Sequence, residues 1–147
     1  MSQLIDAFGV GSIALGVEAS DWREAIAASG TGLVASGCAT ADYTSAMIQA
    51  VVELGPYIVI APGLAVAHAR PGAAVLKTGM SLAVLANPVA FGNQANDPVS
   101  VVFGLSALDH DKHLELLSAF ANRASSPGFV NLLLSCRTEA EIRALLF

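Results

Sequence analysis

The sequence predicts an α/β fold, a single-domain sandwich with a central mixed β-sheet flanked by helices. Three observations point to it. Tyr43, Ala46, Met47, Ala50, Val51 and Leu54 recur at three- and four-residue spacing, the stripe of an amphipathic helix. Apolar runs of strand length come next: Tyr57–Ile60, Leu64–Ala67, Ser81–Leu85 and Ser100–Leu105. Some links between them, Pro62-Gly63 above all, are too short for a helical crossover, so parallel and antiparallel neighbours must share one sheet.

Taken in order, Leu4–Phe8 reads as a short helix and Ser12–Val17 as the first strand. Ser20 is the expected N-cap of a helix from Asp21 to Ser29, with Asp21 and Glu24 in the first turn, where the helix dipole favours negative charge. Gly30 and Gly32 are expected to stop that helix and leave Leu33–Ser36 as a separate helical piece. Thr40 caps the striped helix and Gly55-Pro56 ends it. The Pro62-Gly63 turn makes a hairpin of the next two runs.

Ser81–Leu85 and Ser100–Leu105 suit central strands buried on both faces, with Asn87-Pro88 and Gly92–Pro98 as turn and loop between them. Asp109 caps a helix over His110–Asn122, whose inward face is His113, Leu117 and Phe120 with Leu114 and Ala121 beside them. Ser126-Pro127 opens a short helix reaching Leu134, with Pro127 at its first position. Thr138 opens the last helix, and Ile142, Leu145 and Leu146 are its apolar side.

A chain of 147 residues fits one domain, here 1–147, and can bury roughly 70% of its unfolded surface. With 54% hydrophobic and 13% charged residues, it has ample material for a core. Mean hydropathy is +0.63, yet the longest uncharged run, Thr78–Asn96, is broken by Gly79, Asn87, Pro88 and Gly92. It does not make the span of about 20 apolar residues that crosses a bilayer. No basic segment precedes the first apolar residues, so no secretory leader is expected. The chain reads as soluble.

Net charge is −5 and the seven basic residues are scattered, which argues against nucleic acid and for docking on a basic protein partner. Cys38 and Cys136 read as two free, mostly buried thiols without metal spacing. No G-x-S-x-G elbow and no Walker loop is present, so neither serine hydrolysis nor nucleotide is implied.

The chemistry concentrates in GPYIVIAPGLAVAHARP, Gly55 to Pro71. The second run of the hairpin delivers His68 at a strand end, with Arg70 close behind. Neutral imidazole is a competent nucleophile toward phosphorus, although a lone His beside an Arg is structural more often than catalytic. His113 lies on an inward helix stripe, which equally suits a satisfied core histidine. Asp109, His110, Asp111 and His113 cluster at a helix start, but no third ligand of matching spacing accompanies them, so the cluster reads as a capped, solvated helix end with no metal. Lys77, Thr78 and Ser81 are further donors of unassigned direction.

PGLAVAHARP resembles the active-site signature of the cytoplasmic IIA components of the phosphoenolpyruvate-dependent sugar phosphotransferase system, in the mannitol/fructose superfamily and nearest its ascorbate-type branch. The similarity extends through ADYTSAMIQAVVELGPYIVIAPG, VLKTGMSL, NPVAFGNQANDPV and DKHLELLSAF, in order, from about Ala41 to Phe120. The resemblance implies an α/β fold with helices on both sheet faces. It makes His68 the residue that takes a phosphoryl group from the small carrier HPr and passes it to a cysteine of a IIB partner, while the membrane IIC component imports the sugar. It gives His113 a supporting role toward the phosphoryl group and needs no cofactor. Arg70 would contact phosphoryl oxygen or a partner's acidic rim. A regulatory IIA-like module that signals by its phosphorylation state is the alternative. Two departures stand out: Ala67 occupies the position before the active His where many members carry Pro, and Gln49–Glu53 lacks the Arg of the mannitol-type members.

Overall fold

The computed structural model describes residues 3–146, the side chain of Gln3 excepted. The elements run α1 (Gln3–Asp6), β1 (Ile13–Val17), α2 (Trp22–Ala35), α3 (Ala41–Leu54), β2 (Val59–Ala61), β3 (Leu64–Ala67), β4 (Gly79–Val89), β5 (Val99–Ser106), α4 (His110–Ala124), α5 (Phe129–Ser135) and α6 (Glu139–Leu146). The five strands form one sheet in the order β1-β4-β5-β3-β2. β1 is parallel to β4 and β3 to β5, whereas β4–β5 and β2–β3 are antiparallel. The mixed sheet flanked by helices is therefore present, and its five strands fall on the first strand and the four apolar runs.

Alternation along each strand divides the core between the two sheet faces. Leu64, Val66, Leu82, Val101 and Phe103 face α1, α4, α5 and α6, where Phe103 packs with Phe8, Phe120 and Phe129 at ring separations of 4.6–6.2 Å. Ala65, Ala67, Leu85 and Val102 face α2 and α3 with Ile26, Leu33, Tyr43 and Met47. Small residues on this second face let α2 lie close to the sheet. A Cβ on Gly104 would already meet the Ser81 hydroxyl at 2.5 Å and Leu33 at 3.2 Å.

That close approach corrects the α2 reading. Gly30 and Gly32 do not stop the helix, which runs unbroken to Ala35 and takes in most of the separate piece expected over Leu33–Ser36. A Cβ at Gly30 would fall on the Thr44 hydroxyl of α3, and one at Gly32 on Ser81 of β4 and the Ser12 carbonyl. The glycines serve contact, and the contact outweighs their helix cost of about 1 kcal/mol each. The cap is Asp21 rather than Ser20. Asp21 Oδ1 accepts the Glu24 N–H, and the Glu24 carboxylate accepts the N–H of Ser20, the residue before the cap, so the helix starts one residue later than expected.

Other boundaries move for similarly local reasons. α1 occupies Gln3–Asp6 rather than Leu4–Phe8. The buried face of α3 is Tyr43, Met47 and Val51, while Ala46 and Leu54 are exposed. Thr40 stands at its N-cap without a side-chain bond. Asn87 and Pro88 lie inside β4, not in a turn, where the register with β5 shifts between Val84 and Val89 and no regular rung is required of proline. In α4 Asp109 caps as expected, but the buried residues are Leu116 and Phe120, with Leu114 and Ala121 exposed. Pro127 lies in the turn before α5, which begins after Gly128 in the left-handed conformation. Cys38 is buried, whereas Cys136 is only partly so. Among the described residues, no helix is long and apolar enough to cross a membrane.

Candidate functional site

The parallel pairing of β3 with β5 builds the site. Two parallel strands end at the same edge of a sheet, so the segment leaving β3 emerges beside the segment leaving β5. His68 comes directly after β3, and α4, capped by Asp109, begins four residues after β5. His113, in the first turn of α4, thereby meets His68 although 45 positions separate them in the chain, the difference between their numbers. Their ring centroids are 5.2 Å apart with planes tilted by 59°.

His68 is partly buried and its ring is held on two further sides. Nδ1 lies 2.9 Å from the Val66 carbonyl oxygen. A carbonyl only accepts, so Nδ1 carries the proton and Nε2 keeps its lone pair. The Tyr57 ring meets the imidazole edge-on at 5.4 Å and 89°. This arrangement fixes the tautomer and leaves one nucleophilic nitrogen. Burial pushes the His113 pKa below its ordinary value, and the nearby His68 and His110 rings lower it further. His113 is consequently neutral near pH 7, with one N–H to donate.

The remaining sequence candidates divide. Arg70 is exposed, two residues beyond His68, and joins neither of the ion pairs found among the described residues, Lys112–Glu115 and Arg143–Glu139. His110 is exposed at the start of α4. Ser81 is not a site donor: it is fully buried and its hydroxyl donates to the Ser29 carbonyl at 2.6 Å. Thr78 accepts the Leu108 N–H at 3.0 Å, and Lys77 is exposed. Ala67 is buried and paired with Gly104 in the β3–β5 ladder. No group of three His, Cys, Asp or Glu residues among the described residues is placed to hold a metal ion.

Sequence reasoning missed two tyrosines. Tyr57, expected in a strand, precedes β2 and covers one side of His68. Tyr43 belongs to the core stripe as expected, at 2% exposure, but its hydroxyl reaches Ala69 beside His68. Their signal in the sequence is a polar tip on residues bracketing the hairpin, since a buried phenol needs a partner for its hydroxyl.

Known proteins resemble this chain over nearly its whole length. The family model described as phosphoenolpyruvate-dependent sugar phosphotransferase system, EIIA 2, matches residues 7–147. The ascorbate-specific PTS system EIIA component of Escherichia coli (strain K12) is 38% identical over 136 residues, 92% of this chain and 88% of that protein. The solution structure of the mannitol-specific cryptic phosphotransferase enzyme IIA from Escherichia coli superposes with a TM-score of 0.86 at 35% identity, covering 97% of each chain. The IIA mannitol enzyme in complex with phosphorylated enzyme IIB mannitol, also from Escherichia coli, gives 0.81 at 27% identity over 94% of this chain and 95% of that one.

Proposed function

The chain belongs to the phosphoenolpyruvate-dependent sugar phosphotransferase system EIIA 2 family, and on that premise we propose that it is a phosphocarrier of the ascorbate-specific type. His68 Nε2 attacks the phosphorus carried by the phosphohistidine of HPr. The new P–N bond forms as the donor's P–N bond breaks, and the electron pair returns to the donor ring. A cysteine thiolate of a IIB component then displaces Nε2, and the membrane IIC component imports the sugar that IIB phosphorylates. Phosphoryl transfer of this kind needs in-line approach and charge stabilisation more than covalent help from the carrier. Neutral His113 donates to a phosphoryl oxygen, and exposed Arg70 offers its guanidinium to the same group or to a partner's acidic rim. The cytoplasm, where HPr works, is the site of action.

The observation that carries this reading is the held imidazole: Nδ1 bonded to Val66, Nε2 free, and the His113 ring at 5.2 Å. The ascorbate-specific relative and the neighbour solved with phosphorylated IIB supply the substrate class and the acceptor. The test is intact-mass spectrometry at neutral to alkaline pH after incubation with phosphoenolpyruvate, enzyme I and HPr. One acid-labile phosphoryl adduct is expected, lost in His68→Ala and formed more slowly in His113→Ala. No adduct in the unsubstituted protein, with upstream proteins shown to be active, would sink the phosphocarrier reading.

A further inference from the structure

The β3–β5 ladder does not end where its register says it should. Val101 N–H donates to the Gly63 carbonyl at 3.1 Å, and the pairing runs from Leu64↔Val101 to Ala67↔Gly104. A parallel ladder in that phase has its next free rung from the Ala69 N–H to the Leu105 carbonyl. That rung is made through a side chain instead. Ala69 N–H donates to the Tyr43 hydroxyl at 3.0 Å, and the Tyr43 hydroxyl donates to the Leu105 carbonyl at 2.7 Å. The Ala69 carbonyl lies 3.1 Å from the same hydroxyl.

We propose that Tyr43 is a positioning residue, whose hydroxyl replaces one rung of the ladder, holds the chain after β3 away from β5, and so sets how His68 leaves the sheet. A direct rung spans about 2.9 Å between nitrogen and oxygen. Two bonds in series through one oxygen keep those atoms further apart, just past His68. The spacer itself is anchored. Tyr43 belongs to the buried face of α3, whose N-cap Thr40 donates its N–H to the Ala74 carbonyl at 2.9 Å. The segment after His68 is thus tied to the start of α3 at both Ala69 and Ala74. Burial pushes the Tyr43 phenol up to about 12, so it remains a donor throughout the physiological range.

Tyr43→Phe keeps the ring and removes the spacer. Ala69 then closes directly on Leu105, carrying His68 with it, or both groups lose their partner. Met47→Ala, one turn along the same buried face, weakens the core but leaves the hydroxyl in place. Two readouts separate the inference from the phosphocarrier reading on which its catalytic consequence rests. The ¹⁵N imidazole spectrum of His68, with its ring contacts to His113, needs no phosphoryl transfer. The initial rate of uptake from phosphorylated HPr does.

Tyr43→Phe is expected to move the His68 signals and slow uptake by about ten- to a hundredfold, the scale of small misplacements of a reacting group. Met47→Ala is expected to lower stability and change neither. Unchanged His68 signals in Tyr43→Phe, or the same change in Met47→Ala, would overturn the proposal. If the unsubstituted protein takes up no phosphoryl group, the imidazole spectra alone decide it. Should Tyr43→Phe not fold, exchange in the unsubstituted protein substitutes. A protected Tyr43 hydroxyl and Ala69 amide support the bridge, and fast exchange at both refutes it.

Discussion

Gly32→Ala puts the role of the α2 glycines at risk, because helix propensity and packing predict opposite signs. In an exposed helix interior the change stabilises by about 0.5–1 kcal/mol. At Gly32 the new methyl would sit 2.8 Å from Ser81 Cβ and 2.9 Å from the Ser12 carbonyl oxygen. Neither neighbour is free to move. The Ser12 carbonyl accepts the Leu82 N–H at 2.8 Å in the junction of β1 with β4, and Ser81 is fixed by its strand and its bond to Ser29. Overpacking of this kind costs about 1–3 kcal/mol, so against the propensity gain the net expectation is a loss of up to about 2.5 kcal/mol. At this length that lowers Tm by about 2–4 °C for each kcal/mol. Urea and thermal unfolding would measure it beside Gly72→Ala, where an added Cβ meets nothing within 4 Å. Gly72→Ala should be neutral or slightly stabilising. If Gly32→Ala proved as stable as Gly72→Ala, the claim that these glycines exist for close approach would be wrong.

Further expectations come from the site and the loop beside it. The resonances of His113 should titrate with a midpoint below the ordinary 6.5, because burial and its histidine neighbours oppose its charge. Since that pKa is depressed on folding, its contribution to stability is present above the unfolded value and lost as pH falls through the folded one; a midpoint at or above 6.5 in an NMR titration contradicts this. Arg70→Ala should slow uptake from phosphorylated HPr severalfold yet leave stability within about 0.5 kcal/mol, as for other exposed side chains without a bond. Equal rates with and without the guanidinium would remove Arg70 from the site. Asp97→Ala frees the N–H groups of Phe91, Gly92 and Asn93 that its carboxylate accepts, and should destabilise by about 1–3 kcal/mol in denaturant unfolding.

Much of this was legible in the chain, and what failed did so for identifiable reasons. Asp109, Asp111 and a clear apolar period place the start of α4 to the residue, because a cap acts on N–H groups only three positions away. The same local logic misreads Gly30 and Gly32. Their partners, Thr44, Ser12 and Ser81, lie on other elements, and a glycine chosen for distant contact looks in the sequence like one chosen to break a helix. Pro88 misleads similarly, since a shift of register that tolerates proline belongs to a pair of strands and not to either alone.

At the site, the amino-acid pattern alone establishes that a hairpin ends on His68, that a capped helix carries His113, and to which family both belong. These rest on interactions between near neighbours, or on an ordered series of segments, and need no knowledge of which strands adjoin. Assembly of the sheet is what lays β3 parallel to β5 and brings the two rings to 5.2 Å, lets Val66 select the tautomer of His68, and stands Tyr43 in the ladder beside it. Strand neighbours far apart in the chain are chosen by burial over the whole sheet. No local pattern records that choice.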